Sequence, residues 1–240
     1  EGAAHALAGT CDFCGCELTP GAPQHTLDDG RIACDPCHAV GVHRVADLDV
    51  LLRQVALNYF REAHGIDDFG DTRVDLVDQR QLAEAAGARY IPTSGFDRRA
   101  VGLAMTGARR AASATEDEPG RHHVLIESGF SPEATASTLV HELCHVWQFT
   151  HLDFARMAQE HGRHLIEGHA TWTEDHFLQQ QRQAPAATFD ATRLEAACQA
   201  VVRQKTGADE YGAGYRLLKA RLGPLGGSAF GWLRRHYPRR

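Results

Sequence analysis

At 240 residues, 43% hydrophobic and 23% charged, the chain has the composition of an ordinary soluble globular protein, with room for one large domain and a small appendage. A formal net charge of -6 leaves no broad basic surface and argues against a general nucleic-acid binder. No stretch has the length of a membrane span and no signal-peptide pattern opens the chain, so no membrane partner is expected. Opening on Glu1 rather than Met, the sequence reads as a fragment excised from something longer.

Residues 1–10 carry no periodic pattern and read as a disordered lead-in. Cys11-x-x-Cys14 and Cys34-x-x-Cys37 follow, with nineteen residues between the pairs. Each pair makes a knuckle that turns two thiolates toward one ion. Two knuckles complete a closed tetrahedral site, which predicts a structural Zn²⁺. The intervening turns at Thr19-Pro20-Gly21 and Asp28-Asp29-Gly30 bracket short strand candidates. Cys16 is read as a packing residue and His38 as a possible substitute for Cys37. Five of seven cysteines fall within residues 11–37, which favours metal over disulfides and hence a reducing compartment, the cytoplasm. A redox role for the Cys-x-x-Cys pairs is the weaker alternative.

Val45 to His64 reads as an amphipathic helix, with Leu48, Leu51, Leu52, Val55, Tyr59 and Phe60 on one side and Gly65 at its end. No Gly/Ser/Pro linker precedes it, so the finger is expected to be docked rather than tethered. Arg73–Asp78 alternates as a strand, Gln79–Ala86 forms a short helix, Val101–Met105 a second strand, and His122–Glu127 a third. Thr106–Gly120 is expected to be an exposed loop. His122 and His123 are weak ligand candidates.

The helix after the third strand carries the strongest chemical signal. Ser131 is a suitable N-cap, Pro132 fits the first helical position and Glu133 suits the positive end. Ala136, Leu139, Val140, Leu143 and Trp147 make an apolar face. Between them lies His141-Glu142-Leu143-Cys144-His145. Two imidazoles four residues apart share a face and can grip one Zn²⁺, while Glu142, about 100° round the helix, can act as a base. In a chain with 15 histidines this pattern arises by chance in roughly one sequence in twenty, so its surroundings must decide.

A catalytic zinc needs a third protein ligand. A helical stretch from Arg163 to Glu174 begins 18 residues after His145, and Glu167 lies 22 residues beyond it. Gly168 and Ala170 beside Glu167 would permit close helix approach, favouring Glu167 over His164, His169 and Glu174. Tyr211 and Tyr215 are the candidates for donating to a developing oxyanion. The strand at 122–128 is expected to form the edge of a cleft, pairing with an extended substrate.

Taken together, His141-Glu-x-x-His145 with Glu167-Gly168 resembles a gluzincin metallopeptidase. The order of elements over residues 11–220 resembles the peptidase module of the DA-one family, LIM-linked peptidases best known from plants. The resemblance runs through the finger with Asp28-Asp29-Gly30-Arg31, Tyr59-Phe60-Arg61-Glu62 and Leu76-Val77-Asp78-Gln79-Arg80-Gln81-Leu82. It continues through Val101-Gly102-Leu103, Val124-Leu125-Ile126, the metal helix through Trp147, and Tyr211-Gly212-Ala213-Gly214-Tyr215. That last stretch makes Tyr211 the preferred oxyanion donor. Ile166 replaces the first of two acids usual before the glycine, and His169-Ala170 replaces an apolar residue and cysteine after it. Thr171 stands where many gluzincins place an orienting acid. The family's first LIM zinc site and its ubiquitin-interacting segments are missing.

The resemblance implies an α+β fold: a small sheet, the metal helix and following helices at 43–240, with a LIM-like finger at 1–42. It implies peptide-bond hydrolysis of a protein or peptide substrate, with Glu142 as general base and one catalytic and one structural Zn²⁺. The rival is a non-catalytic scaffold or adaptor whose finger recruits a protein partner, against which the intact Glu142 weighs.

Overall fold

A computed structural model of the chain describes residues 9–19, 21–87, 101–106, 121–223 and 228–239. Most of the expected lead-in, Pro20, and the loop expected after Thr106 lie outside them. Among the described residues the chain is α+β, with helices dominating and two small sheets.

The N-terminal unit is a two-stranded antiparallel ribbon, β1 (Gln24–Thr26) and β2 (Ile32–Cys34), with His25 opposite Ala33. Between them Gly30 adopts φ +88°, a left-handed conformation glycine enters without steric cost. A short helix, α1 (Asp35–Val40), starts directly after Cys34 with proline in its first turn. Among the described residues the unit's buried core is Cys11, Phe13, Leu18 and Ala33, with a few half-buried side chains such as Leu27 and Ile32 packed against it. So small a core cannot hold itself together unaided.

The expected helix from Val45 to His64 is present in three parts: α2 (Val45–Val50), a π-helical segment (Leu51–Ala56) and α3 (Leu57–His64). Leu48, Leu51, Val55, Tyr59 and Phe60 are buried, and Gly65 closes the helix at φ 64°. Then come β3 (Asp71–Val77) and α4 (Gln79–Ala85), whose N-terminus is a reciprocal capping box between Asp78 and Gln81. β4 (Gly102–Thr106) and β5 (Arg121–Glu127) complete a sheet in the order β3-β5-β4. β5 is parallel to β3 and antiparallel to β4. This corrects one expectation. The strand at 122–128 is the central strand, hydrogen-bonded on both sides, and cannot accept a substrate strand. Among the described residues the edge beside the metal helix is β4.

Among the described residues six helices follow: α5 (Pro132–His151), α6 (Phe154–His161), α7 (Arg163–Gln183), α8 (Ala191–Thr206), α9 (Glu210–Leu222) and α10 (Ala229–His236). In α5 the Ser131 Oγ accepts from the Ala134 amide and Pro132 takes the first turn, as the sequence predicts. Its residues Ala136, Leu139, Val140, Leu143 and Trp147 are completely or almost completely buried. Glu133 does more than complement a helix end. It is fully buried, accepts the Asp190 amide at 2.7 Å and the Arg193 guanidinium at 3.0 Å, and so ties α8 to α5.

The glycine after Glu167 permits a close approach, but not to α5. A Cβ on Gly168 would lie 2.1 Å from the Gly214 carbonyl carbon, and one on Gly214 would lie 1.8 Å from the His164 oxygen. The pair lets α7 and α9 cross backbone to backbone, which brings the start of α9 over the metal helix.

The finger is docked, as the lack of a linker predicts. Arg31, 2% exposed, reaches Asp29 at 2.7 Å, Glu127 at 2.5 Å and the Ser128 carbonyl at 2.8 Å. Asp29 also accepts the Gln79 amide at 3.0 Å. Phe13 packs edge-on against Phe130, and Val42 exchanges backbone hydrogen bonds with Gly129 and Phe130. The finger therefore grips the loop that joins β5 to the cap of α5.

Candidate metal centre

α5 and α7 build the site between them. His141 and His145, one turn apart on α5, aim their Nε2 atoms at one oxygen of Glu167 on α7. Oε2 lies 3.4 Å from the first and 3.3 Å from the second. The three ligand atoms fall within 4.8 Å of one another, and all three residues are buried.

Neighbouring groups decide the tautomer of both rings. Gln148 Nε2 donates to the Ile166 carbonyl at 3.0 Å, so its Oε1, 3.0 Å from His145 Nδ1, must be the acceptor there. Glu174 accepts from Ser137 Oγ through Oε1 at 2.6 Å and from His141 Nδ1 through Oε2 at 3.2 Å. Each imidazole thus carries its proton on Nδ1, leaving its Nε2 lone pair facing Glu167. Two ring nitrogens and a carboxylate oxygen directed at one point repel unless a positive charge lies between them, either a proton on an Nε2 or a metal ion held by all three. A ligand set of two nitrogens and one oxygen, with the second ring nitrogens held by a carboxylate and an amide, suits a metal ion with an open position. Burial works against charge on His141 and Glu167, but their mutual contacts prevail. His141, also facing Glu174, is held well above the ordinary imidazole range, and Glu167 well below the carboxylate range.

Glu142 stands beside the ligands without joining them. Its side chain lies against β4, where a Cβ on Gly102 would come within 2.7 Å of its Oε1. Burial raises its pKa, despite the two neighbouring histidines. The ring of Tyr211, at the start of α9, stands 6.0 Å from that of His141. Burial, with Glu167 nearby, keeps its phenol protonated far above its ordinary value. Tyr215 is turned away and donates to Asp175 at 2.8 Å. The crossing of α7 and α9 has brought in one tyrosine and excluded the other.

The remaining candidates fall outside the centre. His169 is buried with Nδ1 beside Gln148 and Cys144, and its ring packs on Phe230. His122 meets Thr150 and His123 meets Asp75. Glu174 and Gln148 are the two participants that the sequence does not identify. The sequence raises Glu174 only as a ligand; its position seven residues after Glu167, two turns along the same helix, is the available signal.

The second cluster joins Cys11, Cys14, Cys34 and Cys37, whose sulfurs also lie within 4.8 Å of one another. Although buried, Cys11 is brought down to about 7 by backbone amides, the Cys34 N–H first among them. Burial and the neighbouring thiols push Cys14 up to about 12, because this many thiolates cannot gather without a cation. His38 is not needed as a substitute for Cys37. Cys16 is exposed rather than packed. The residues at both clusters fit a metal ion, one closed and one open.

The chain matches no family model, no curated protein and no solved structure. The reading of its function therefore rests on the site itself.

Proposed function

We propose that the chain is a zinc-dependent metallopeptidase of gluzincin type that hydrolyses peptide bonds in protein substrates. The observation that supports this best is the joint commitment of His141 and His145 through Nδ1, which turns both Nε2 lone pairs onto Glu167 and leaves Glu142 free beside them. A zinc ion held by His141, His145 and Glu167 would acidify water and polarise the scissile carbonyl.

The protein's own residues supply the rest. Glu142, its carboxylate made more basic by burial, takes the proton from the attacking water and passes it to the leaving amine. Tyr211 donates its phenolic proton to the developing oxyanion as a hydrogen bond, without adding charge. β4, the sheet edge among the described residues, offers an extended substrate a strand to pair with, next to Glu142. The four-cysteine cluster, read as a zinc site, is structural because four protein ligands leave no open position. Among the described residues no helix is long and apolar enough to cross a membrane. Cysteines gathered as metal ligands fit the reducing conditions of a cytoplasm.

Counting metal and measuring cleavage on the same samples tests the proposal. Wild type should hold two zinc equivalents, one easily chelated, and cleave an unfolded protein or a peptide library. Glu142→Gln should keep both zincs, melt normally and lose cleavage by about 10²–10⁴-fold. A single equivalent in wild type, surviving as the finger's own, would leave only a zinc-stabilised scaffold. Undiminished cleavage by Glu142→Gln would move the reaction off this helix.

A further inference from the structure

Arg163 is the first residue of α7, where a helix favours negative charge. The preceding Gly162, at φ 59°, offers no side-chain cap to the helix amides. A guanidinium here needs another reason. It donates to Glu167 Oε1 at 2.8 Å and stands 3.5 Å from Glu210 at the start of α9. Glu167 is therefore divided: Oε1 is taken by Arg163, and Oε2 alone faces the two imidazoles.

We propose that Arg163 is a positioning residue for the metal. By occupying Oε1 it confines Glu167 to one-oxygen coordination through Oε2, so that the carboxylate does not swing round to fill the position that solvent or substrate must enter. A carboxylate binds a metal through one oxygen or two, and an outer partner held on the second oxygen favours the first mode. Arg163 suits this role because its donors are fixed in a plane and it is never deprotonated. Glu210 holds the guanidinium from the other side, so α9 contributes both Tyr211 and the partner of Arg163. The inference rests on the metallopeptidase reading of this site. It goes further by assigning the ligand's mode of binding to a residue outside the ligand set.

The test uses cobalt as the probe. The easily chelated site of the full chain is emptied and reloaded with Co²⁺ while the finger keeps zinc. Visible spectra, chelator-driven release rates and melting temperatures are then compared for wild type, Arg163→Ala and Arg163→Lys. Wild type should give the strong bands of four-coordinate cobalt. Arg163→Ala should give the weaker bands of five-coordinate cobalt, release the metal about 10–100-fold faster and melt unchanged. Arg163→Lys, with one point-like donor, should fall between them. Where cleavage is measurable, kcat should drop with KM little altered. An Arg163→Ala protein with the wild-type spectrum and release rate would overturn the role of Arg163 alone. A wild type that accepts no cobalt outside the finger would overturn the metal-site reading and this inference together.

Discussion

Each histidine of the metal pair is oriented by a residue that does not touch the metal position. Glu174 holds His141 through Nδ1 and is itself held by Ser137, one turn before His141 on α5. Gln148 holds His145 and is fixed by the Ile166 carbonyl beside Glu167. Removing such a partner frees the ring to rotate and lowers its basicity. Glu174→Ala should weaken metal binding at this site about 10–100-fold while the finger keeps its own ion, a difference that competition with a graded chelator would measure. Equal metal affinity in the variant would show that packing alone orients His141. The ligands are legible in the sequence because their signals are local: two histidines four residues apart on α5, then an acid beside a glycine on α7. Glu174 is separated from His141 by 33 residues. Thr171 is buried, and among the described residues its hydroxyl has no hydrogen-bond partner.

Among the elements, the crossing of α7 on α9 and the docking of the finger do most to shape the site. At Gly168 and Gly214 there is no room for a methyl group, since the obstructing atoms are backbone. Gly168→Ala should destabilise the protein by about 1–3 kcal/mol or more and shift Tyr211 from the site. Urea unfolding would give the first effect and cleavage at full metal loading the second. In the finger, Asp29 is almost fully buried and its pKa is depressed. Burial opposes that shift, but the Gln79 amide and Arg31 outweigh it. A carboxyl lowered on folding adds stability that is complete above its unfolded value, about 4, and disappears as pH falls through the folded value. Asp29→Asn should therefore be less stable than wild type at pH 7, with the gap narrowing below about pH 4. Denaturant midpoints across that range check the sign. A gap that stays constant into acid would mean Asp29 acts by shape rather than charge.

At the scale of the whole molecule the two metal clusters are mechanically joined. The finger grips Ser128–Phe130 through Arg31, Val42 and Phe13, and Ser131 immediately after is the N-cap of the helix bearing His141 and His145. If the four-cysteine cluster holds an ion, as proposed, its loss would remove support from a core of four buried residues among those described and loosen this grip. Cys34→Ser should lower the melting temperature by about 10 °C or more, at about 2–4 °C per kcal/mol for a chain of this size. It should also speed metal release from the His/Glu site. Calorimetry and chelator kinetics on one preparation would decide; an unchanged melting temperature would make the finger an independent appendage.

The sequence by itself determined what depends on near neighbours. Local periodicity and capping placed the Val45–His64 helix, α5, the start of α7 and the strands, and ligand spacing placed both clusters, because these follow from residues within a few turns of one another. The later helices α6, α8 and α10 are not legible there, since their patterns become distinctive only once it is known which faces meet a core. Tertiary structure alone decided that β5 is central and that, among the described residues, β4 is the edge, because strand order is set by hydrogen bonds between segments about 20 and 50 residues apart. It also chose Tyr211 over Tyr215 and brought Glu174 of α7 to His141 of α5, whereas Gln148 and Arg163 lie only three and four residues along the same helices from the ligands they hold. The choice of tyrosine depends on the angle at which α7 and α9 cross, which Gly168 and Gly214 permit but neither one specifies.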